Sequence, residues 1–152
     1  MAYATVHRGD FVKIAVYAIS KNEEKFVERW VNSMNEADEI YVADSGSTDN
    51  TVELLKQKGV IVNSVKIEPW RFDVARNKSL EFVSKDVDIC VCTDLDEVFT
   101  KAWRKELEKK WTNDTTNARY SYIWNFDENG KPQTSFYIEK IHSRNNFKWV
   151  YP

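Results

Sequence analysis

Asp88-Ile89-Cys90-Val91-Cys92-Thr93-Asp94-Leu95-Asp96-Glu97 is the stretch on which the fold of this chain turns. Its first half is short and apolar and contains Val and Ile, which reads as a buried strand. Its second half delivers three carboxylates where that strand should leave the sheet. In open α/β sheets, ligands bind in the crevice at the carboxyl ends of the strands. Asp94 and Asp96 lie two apart, so on extended backbone they point the same way. Two carboxylates aimed together repel unless a cation stands between them. Hard oxygen ligands favour Mg²⁺ or Mn²⁺, and such metals usually serve substrate phosphates. A metal–diphosphate site at Asp94 and Asp96 is one reading. A solvated acidic turn that caps the next helix is the other, and this stretch alone supports both equally.

Upstream, the pattern alternates strand and helix. Phe11 to Ile19 reads as a strand, followed by Ser20-Lys21-Asn22-Glu23. That tetrapeptide has the form of a capping box, in which Ser20 accepts from the Glu23 amide and Glu23 reaches back. The helix after it carries Phe26, Val27, Trp30, Val31 and Met34 on one face. Glu39 to Asp44 is a second strand, leading into Asp44-Ser45-Gly46-Ser47-Thr48-Asp49-Asn50-Thr51. Gly46 permits a tight turn, and Ser47, Thr48 and Asp49 can each cap a helix that Gly59 stops. As a plain βα loop this segment needs no ligand, yet Asp44 sits before the turn, where no helix needs it. Val60 to Ile67 is a third strand and Phe72 to Phe82 a third helix. Arg76 and Lys78 place cations on that helix, read either as a solvated face or as part of a site.

Downstream, Lys101 to Trp111 is an amphipathic helix. Its Trp103, Leu107 and Trp111 fall four apart. Beyond Thr112 the pattern turns to alternating, aromatic-rich segments, Ala118 to Phe126, Thr134 to Ile141 and Phe147 to Tyr151. Asp127-Glu128-Asn129-Gly130 joins the first two as a hairpin turn. The chain thus reads as α/β: a mostly parallel sheet flanked by helices, with an antiparallel β extension near the C-terminus. Residues 12–111 form the βα units, residues 112–152 the extension, and residues 1–152 one domain.

Bulk properties narrow the function. The 152 residues are 42% hydrophobic and 14% aromatic, enough for a sizeable core. A net charge of −2 supplies no basic field for nucleic acid. No apolar run of about 18 residues spans a membrane. Met1 to Asp10 lacks the apolar core of a signal peptide and reads as a frayed arm. Cys90 and Cys92 are the only cysteines and have no partners at zinc spacing. They read as small buried side chains in a reducing compartment, so the expected location is cytoplasmic, with room for peripheral membrane association. His7 and His142 form no motif. Trp70, Trp124 and Trp149 could line an exposed acceptor face, but the core is the favoured expectation for each.

Three loops now fall at one sheet edge: Ser20–Glu23, Asp44–Asp49 and Asp94–Glu97. With Asn22-Glu23-Glu24, Asp44 to Thr51, Ala75-Arg76-Asn77-Lys78-Ser79-Leu80 and the Asp-x-Asp sequence Asp94-Leu95-Asp96-Glu97, the chain from about Val12 to Phe99 resembles the nucleotide-binding half of a family 2 glycosyltransferase. The resemblance implies a GT-A, Rossmann-like fold and a nucleotide-diphospho-sugar donor, with a UDP-sugar favoured. Asp44 would accept a hydrogen bond from the imide of a uracil-like base. Ala18, Ser20 and Asn22 would line base and ribose, with Glu23, Ser45 and Gly46 in the same donor-side loops. Arg76 would be a structural or phosphate-side cation near the sugar. Asp94 would sit by the ribose and the metal's water shell, and Asp96 would ligate Mn²⁺ or Mg²⁺. The implied reaction is inverting transfer to a hydroxyl of a glycan, lipid or other acceptor.

Such a reaction needs a carboxylate base. In the family that base lies well past the Asp-x-Asp motif, and related members continue into a His-Glu pair where this chain ends at Pro152. The expectation is therefore a shortened acceptor half, and no catalytic residue is assigned. Glu97 is the nearest carboxylate, but a helix-start role fits it better. Two alternatives stand beside the transferase: a nucleotide-sugar-binding module without turnover, and a phosphatase of the haloacid-dehalogenase type. The latter follows from the likeness of Asp94-Leu95-Asp96-Glu97-Val98 to that family's nucleophile motif.

Overall fold

The computed structural model describes residues 11–150. The expectations for Met1 to Asp10 and for Tyr151 lie outside that range. Strand β1 (Ile14–Ser20) runs through the middle. Its Ile14, Val16 and Ala18 face one hydrophobic layer while Ala15 and Tyr17 face the other. A strand buried on both faces is near-continuously apolar, which is how it is recognised in sequence. β2 (Glu39–Asp44) and β4 (Ile89–Cys92) pair parallel with β1 on either side, and β3 (Ile61–Ser64) pairs parallel with β2. β5 (Asn117–Phe126) and β6 (Pro132–Ser143) form a hairpin, and β6 docks antiparallel on β4. The sheet order is β3-β2-β1-β4-β6-β5, an α/β architecture with an antiparallel extension as expected.

Helices α1 (Glu24–Met34), α2 (Thr51–Gln57) and α4 (Trp103–Lys110) contribute to one layer. α3 (Phe72–Phe82) covers the other face of the sheet. α1 buries Val27, Trp30, Val31 and Met34 in the same cluster as Ile14, Val16 and Ala18. Burial of each such side chain contributes roughly 1.5–3 kcal/mol. The Trp30 indole also donates to Thr93 Oγ1 at 2.9 Å, tying α1 to the exit of β4. Across the sheet, Leu80 and Val83 meet Tyr17, Cys90 and Cys92. Both cysteines are free and buried, and burial pushes both thiols up to about 12.

Four local expectations are corrected. Ser20 and Glu23 do not form a capping box: α1 begins at Glu24 without a side-chain cap from its own segment. Ser20 is still part of β1 and spends its hydroxyl on Asp44 at 2.8 Å. The Glu23 amide donates instead to Thr51 Oγ1 at 2.8 Å, across the loops. Phe147 to Val150 is not a strand, because the Asn77 side-chain amide takes both Trp149 backbone groups at 2.8 Å. The fourth helix starts at Trp103 and not at Lys101, since Ala102 is left-handed (φ 65). Glu36 then accepts from the Ala102 and Arg104 amides at 2.7 and 3.1 Å. The third strand is confined to Ile61–Ser64, after which the Val65 amide turns to the Asp44 carbonyl at 2.8 Å.

Strands β2 and β3 lie on one side of β1 and β4 on the other. The order therefore reverses between β1 and β4, and the crevice at their carboxyl ends is where such sheets bind ligands.

Candidate functional site

The register Ser20↔Asp44 and Tyr17↔Cys92 brings the exits of β1, β2 and β4 to one edge. Asp44 is 3% exposed and organises the second loop. Its carboxylate accepts from Ser20 Oγ (2.8 Å), Ser47 Oγ (2.5 Å), Gly46 N (3.0 Å) and Ser47 N (2.9 Å). Burial alone would raise its pKa, but these donors outweigh burial and hold the carboxyl below its ordinary range. A carboxylate has about four lone-pair sites, and these four donors use them to fix the shape of the loop. Gly46 adopts φ 100 there, a conformation glycine takes without strain. Asn22 (φ 54) staples the first loop to the second: its side-chain oxygen accepts from the Thr48 amide at 2.7 Å and its amide donates to Ser47 Oγ at 2.8 Å.

A cavity of about 560 Å³ opens above these loops. Ser20, Glu23, Ser45, Arg76, Asp94 and Asp96 are in its wall, with Trp70 and Phe72 at the side. Ala18, Asn22, Asp44 and Gly46 are not in it. Ala18 is 1% exposed and packs in the core. Asp94 and Asp96 reach the same cavity by a different geometry from the one inferred. β4 ends at Cys92, and Asp94 to Glu97 is a turn closed by Glu97 N to Asp94 O at 3.1 Å. Leu95 is fully buried between the two carboxylates, and Arg29 clamps the Asp96 carbonyl at 2.9 Å. Glu23 joins this acidic edge. Burial first, then the charges of Asp96 and Asp94, push its carboxyl up to about 7.

Opposing these carboxylates is Arg76. It is half-buried, not on a solvated face, with its guanidinium 5.0 Å from the Trp149 ring and 3.8 Å from Asp94 Oδ1. Its Nε is buried without a hydrogen-bond partner. Lys78 does lie on the solvated face, paired with Glu81 at 2.9 Å. Among the described residues no three His, Cys, Asp or Glu side chains form a group able to hold a metal ion by themselves.

The family model described as glycosyl transferase family 2 matches residues 16–151. This chain belongs to glycosyl transferase family 2. An uncharacterized glycosyltransferase of Rickettsia bellii is 33% identical over 111 residues, covering 72% of this chain and 36% of that protein. The structure of S. aureus TarS matches with a TM-score of 0.53 at 21% identity, covering 64% of this chain and 31% of TarS, a likeness of fold. A Mycobacterium tuberculosis glucosyl-3-phosphoglycerate synthase, solved with Mn²⁺, UDP and glucosyl-3-phosphoglycerate, matches at 32% identity with a TM-score of 0.48 over 56% of this chain and 34% of that one. The chain spans about a third of the length of the curated Rickettsia relatives it matches. Family 2 membership sets aside the haloacid-dehalogenase alternative for the Asp94–Val98 segment.

Within the family 2 frame, the hairpin supplies what sequence reasoning missed. Lys140 of β6 is 4% exposed, with Nζ 2.9 Å from Asp94 Oδ2 and 2.7 Å from Glu97 Oε1. Burial works against the ammonium, yet the two carboxylates raise its pKa and keep it charged. Glu97 is thus buried and ion-paired; it starts no helix, since α4 begins six residues later at Trp103. The available signal was a lysine at strand spacing after Phe136 and Ile138, on the same alternation as those apolar residues. A second cavity of about 290 Å³ adjoins the first through Arg76 and Asp94. Tyr122, Trp124, Phe136 and Trp149 are in its wall. Trp70 and Trp124 are 44% and 70% exposed, against the core expectation, whereas Trp149 is half-buried and donates to Tyr17 Oη at 2.8 Å. No helix among the described residues is long and apolar enough to cross a membrane.

Proposed function

We propose that this chain supplies the donor-binding part of a metal-dependent, inverting glycosyltransferase that uses a nucleotide-diphospho-sugar, a UDP-sugar by preference, and a hydroxyl acceptor. The observation that carries the reading is the convergence of Asp94, Asp96 and Glu23 with the under-coordinated Arg76 in one cavity at the β1/β4 switch point. The donor set fits Mg²⁺ or Mn²⁺: hard carboxylate oxygens, too few to complete a shell alone. Asp96 would ligate the ion and Asp94 would stand by its water shell and the ribose. When bound, the ion stabilises negative charge on the departing diphosphate.

The remaining chemistry falls to the chain's own side chains. Arg76 would add charge-assisted hydrogen bonds from its guanidinium to phosphate oxygens. Ser20, Glu23 and Ser45 would border the nucleoside, on loops that Asn22, Asp44 and Gly46 hold in shape. The acceptor oxygen attacks the anomeric carbon from the face opposite the diphosphate; the new C–O bond forms as the bond to the diphosphate breaks. The second cavity, open to Arg76 and Asp94, is on the acceptor side of that line. A glycan, a lipid headgroup or another hydroxyl compound would occupy it, and the base that takes the hydroxyl proton is not assigned. Positioning and leaving-group stabilisation are the contributions expected of this part.

The test is calorimetric titration of UDP into the protein with Mn²⁺ and with EDTA, beside Asp96→Ala. Binding that strengthens with Mn²⁺ and loses that gain in the variant supports the donor site. A gain that survives in Asp96→Ala removes the metal assignment. Equal affinity for GDP and dTDP removes the uracil preference and leaves the diphosphate site.

A further inference from the structure

The turn after β4 concentrates three carboxylates in four residues, and the fold treats them unequally. Asp96 is exposed and Glu97 is buried, and Asp94 lies between these extremes. Lys140 binds only the latter two, at 2.9 Å to Asp94 Oδ2 and 2.7 Å to Glu97 Oε1. Glu97 returns its other oxygen to the Asp94 amide at 3.2 Å. The second Asp94 oxygen faces Arg76 at 3.8 Å. One ammonium thus holds one oxygen of Asp94 and leaves the other towards the guanidinium that both cavities share. Without it, the negative charges of Asp96 and Glu97 would turn the Asp94 carboxylate away from the turn and into water.

We infer that Lys140 is a positioning residue: it fixes the Asp94 carboxylate for the divalent cation and the diphosphate, and it ties that carboxylate to the hairpin that walls the second cavity. The inference rests on the donor reading above. Three features favour it over a plain structural ion pair. Lysine is a compact charge with three donors, suited to carboxylates on two separate residues, where an arginine fork would favour one of them. The residue sits beside Ile141, whose partner across the antiparallel pairing is Val91, so its backbone is fixed by the same strand that carries the turn. Its strand continues into Ile138 and Phe136, which border the second cavity, so a shift of the hairpin is transmitted directly to Asp94.

Removing Lys140 alone would strand a buried carboxylate, so the decisive variant is Lys140→Met/Glu97→Gln, which removes the ammonium and the buried negative charge together. Three quantities are compared with wild type: melting temperature, UDP affinity in EDTA, and the factor by which Mn²⁺ strengthens UDP binding. The expected result is a cooperative melt with the Mn²⁺ factor reduced about tenfold, the usual scale for residues that orient metal ligands. A variant that melts normally and keeps the full Mn²⁺ factor overturns the inference and leaves Lys140 a structural ion pair. If the double variant does not fold, Lys140→Arg decides: a retained charge of the wrong shape should lower the Mn²⁺ factor in a folded protein, and a full factor overturns the role. The donor reading fails by a different result, a wild-type protein whose UDP affinity is the same with Mn²⁺ and with EDTA, and the role of Lys140 falls with it.

Discussion

The parallel half and the hairpin of this sheet are built on opposite terms. In β1 and β4 nearly every residue is buried, and helices or the C-terminal segment cover both faces. In β5 and the distal part of β6 almost no residue is buried: Ile123, Trp124, Phe126, Phe136 and Tyr137 all stand between 38% and 70% exposed. Only the base of β6, at Lys140, Ile141 and His142, enters the interior. The difference separates two uses of hydrophobic side chains. In the parallel half they hold the strands whose ends carry the carboxylates. In the hairpin tip they stay exposed, and Trp124 and Phe136 line a cavity.

That contrast can be broken first at its strongest point. Trp30 is fully buried and its indole hydrogen-bonds to Thr93 at the exit of β4. Trp30→Ala should cost about 3–5 kcal/mol, the range for truncating a large core aromatic, with the Thr93 hydroxyl left unpartnered as well. Urea unfolding measures this as a lowered midpoint. A loss of less than about 1 kcal/mol, well short of that range, would mean that the parallel half is not the rigid part.

The base of the hairpin gives a second, pH-dependent measure. His142 is 1% exposed, takes the Tyr17 hydroxyl on Nε2 at 2.7 Å and donates from Nδ1 to its neighbour's carbonyl at 2.8 Å. Trp149 donating to the same Tyr17 oxygen leaves the Tyr17 proton for Nε2, so the ring is neutral. Phe147 stacks on it at 3.5 Å. Burial, with the Arg144 charge adding to it, pushes its pKa down from 6.5 to about 4. The unfolded chain therefore binds the proton that the folded one refuses. Stability should fall as pH drops from about 6.5 and level off near 4, by on the order of 3 kcal/mol in all. Glu23 acts with the opposite sign: its carboxyl, pushed up to about 7, adds stability as pH falls towards 4.5. Subtracting the His142→Gln profile from that of wild type removes the Glu23 contribution. A flat difference between pH 7 and 4 would show that the hairpin base admits a charged imidazole.

Much of this division was legible in the sequence, and what was not has a common cause. α3 runs from Phe72 to Phe82 as read, and β4 and its acidic turn fall where the apolar run meets Asp94. These depend on neighbours within a few residues. The capping box failed because Ser20 found Asp44, on another strand, before it could cap its own helix. Phe147 to Val150 alternates like a strand but is held by Asn77, some seventy residues back. Lys140 stood in no motif and neither did His142; both are interior because β6, not β5, docks on β4. Asp44 was noticed for the right reason, a carboxylate at a strand end that no helix needs. Its hydrogen bonds shape the loop, while Asp94, Asp96 and Arg76 line the cavity above it.

The smallest expected effect sharpens the contrast from the other side. Trp124 is 70% exposed, and its nearest aromatic neighbour, Tyr122, is 6.3 Å away between ring centres. Trp124→Ala should change the urea midpoint by no more than about 0.5 kcal/mol in equivalent stability, as for an exposed residue outside any network. The m-value should also stay constant, because no surface buried in the folded state is lost. A larger loss would mean that the tip shelters part of the core and that its aromatic side chains are structural after all. A null effect has the more informative consequence: the indole's contact area lies open beside Arg76 and Asp94 without any folding energy depending on it. A side chain whose removal costs the fold nothing can be assigned to ligand contact on binding data alone, because any affinity lost in Trp124→Ala is then separable from damage to the site. Trp30 could never be tested that way, since its removal would disturb Thr93 and with it the turn that carries Asp94.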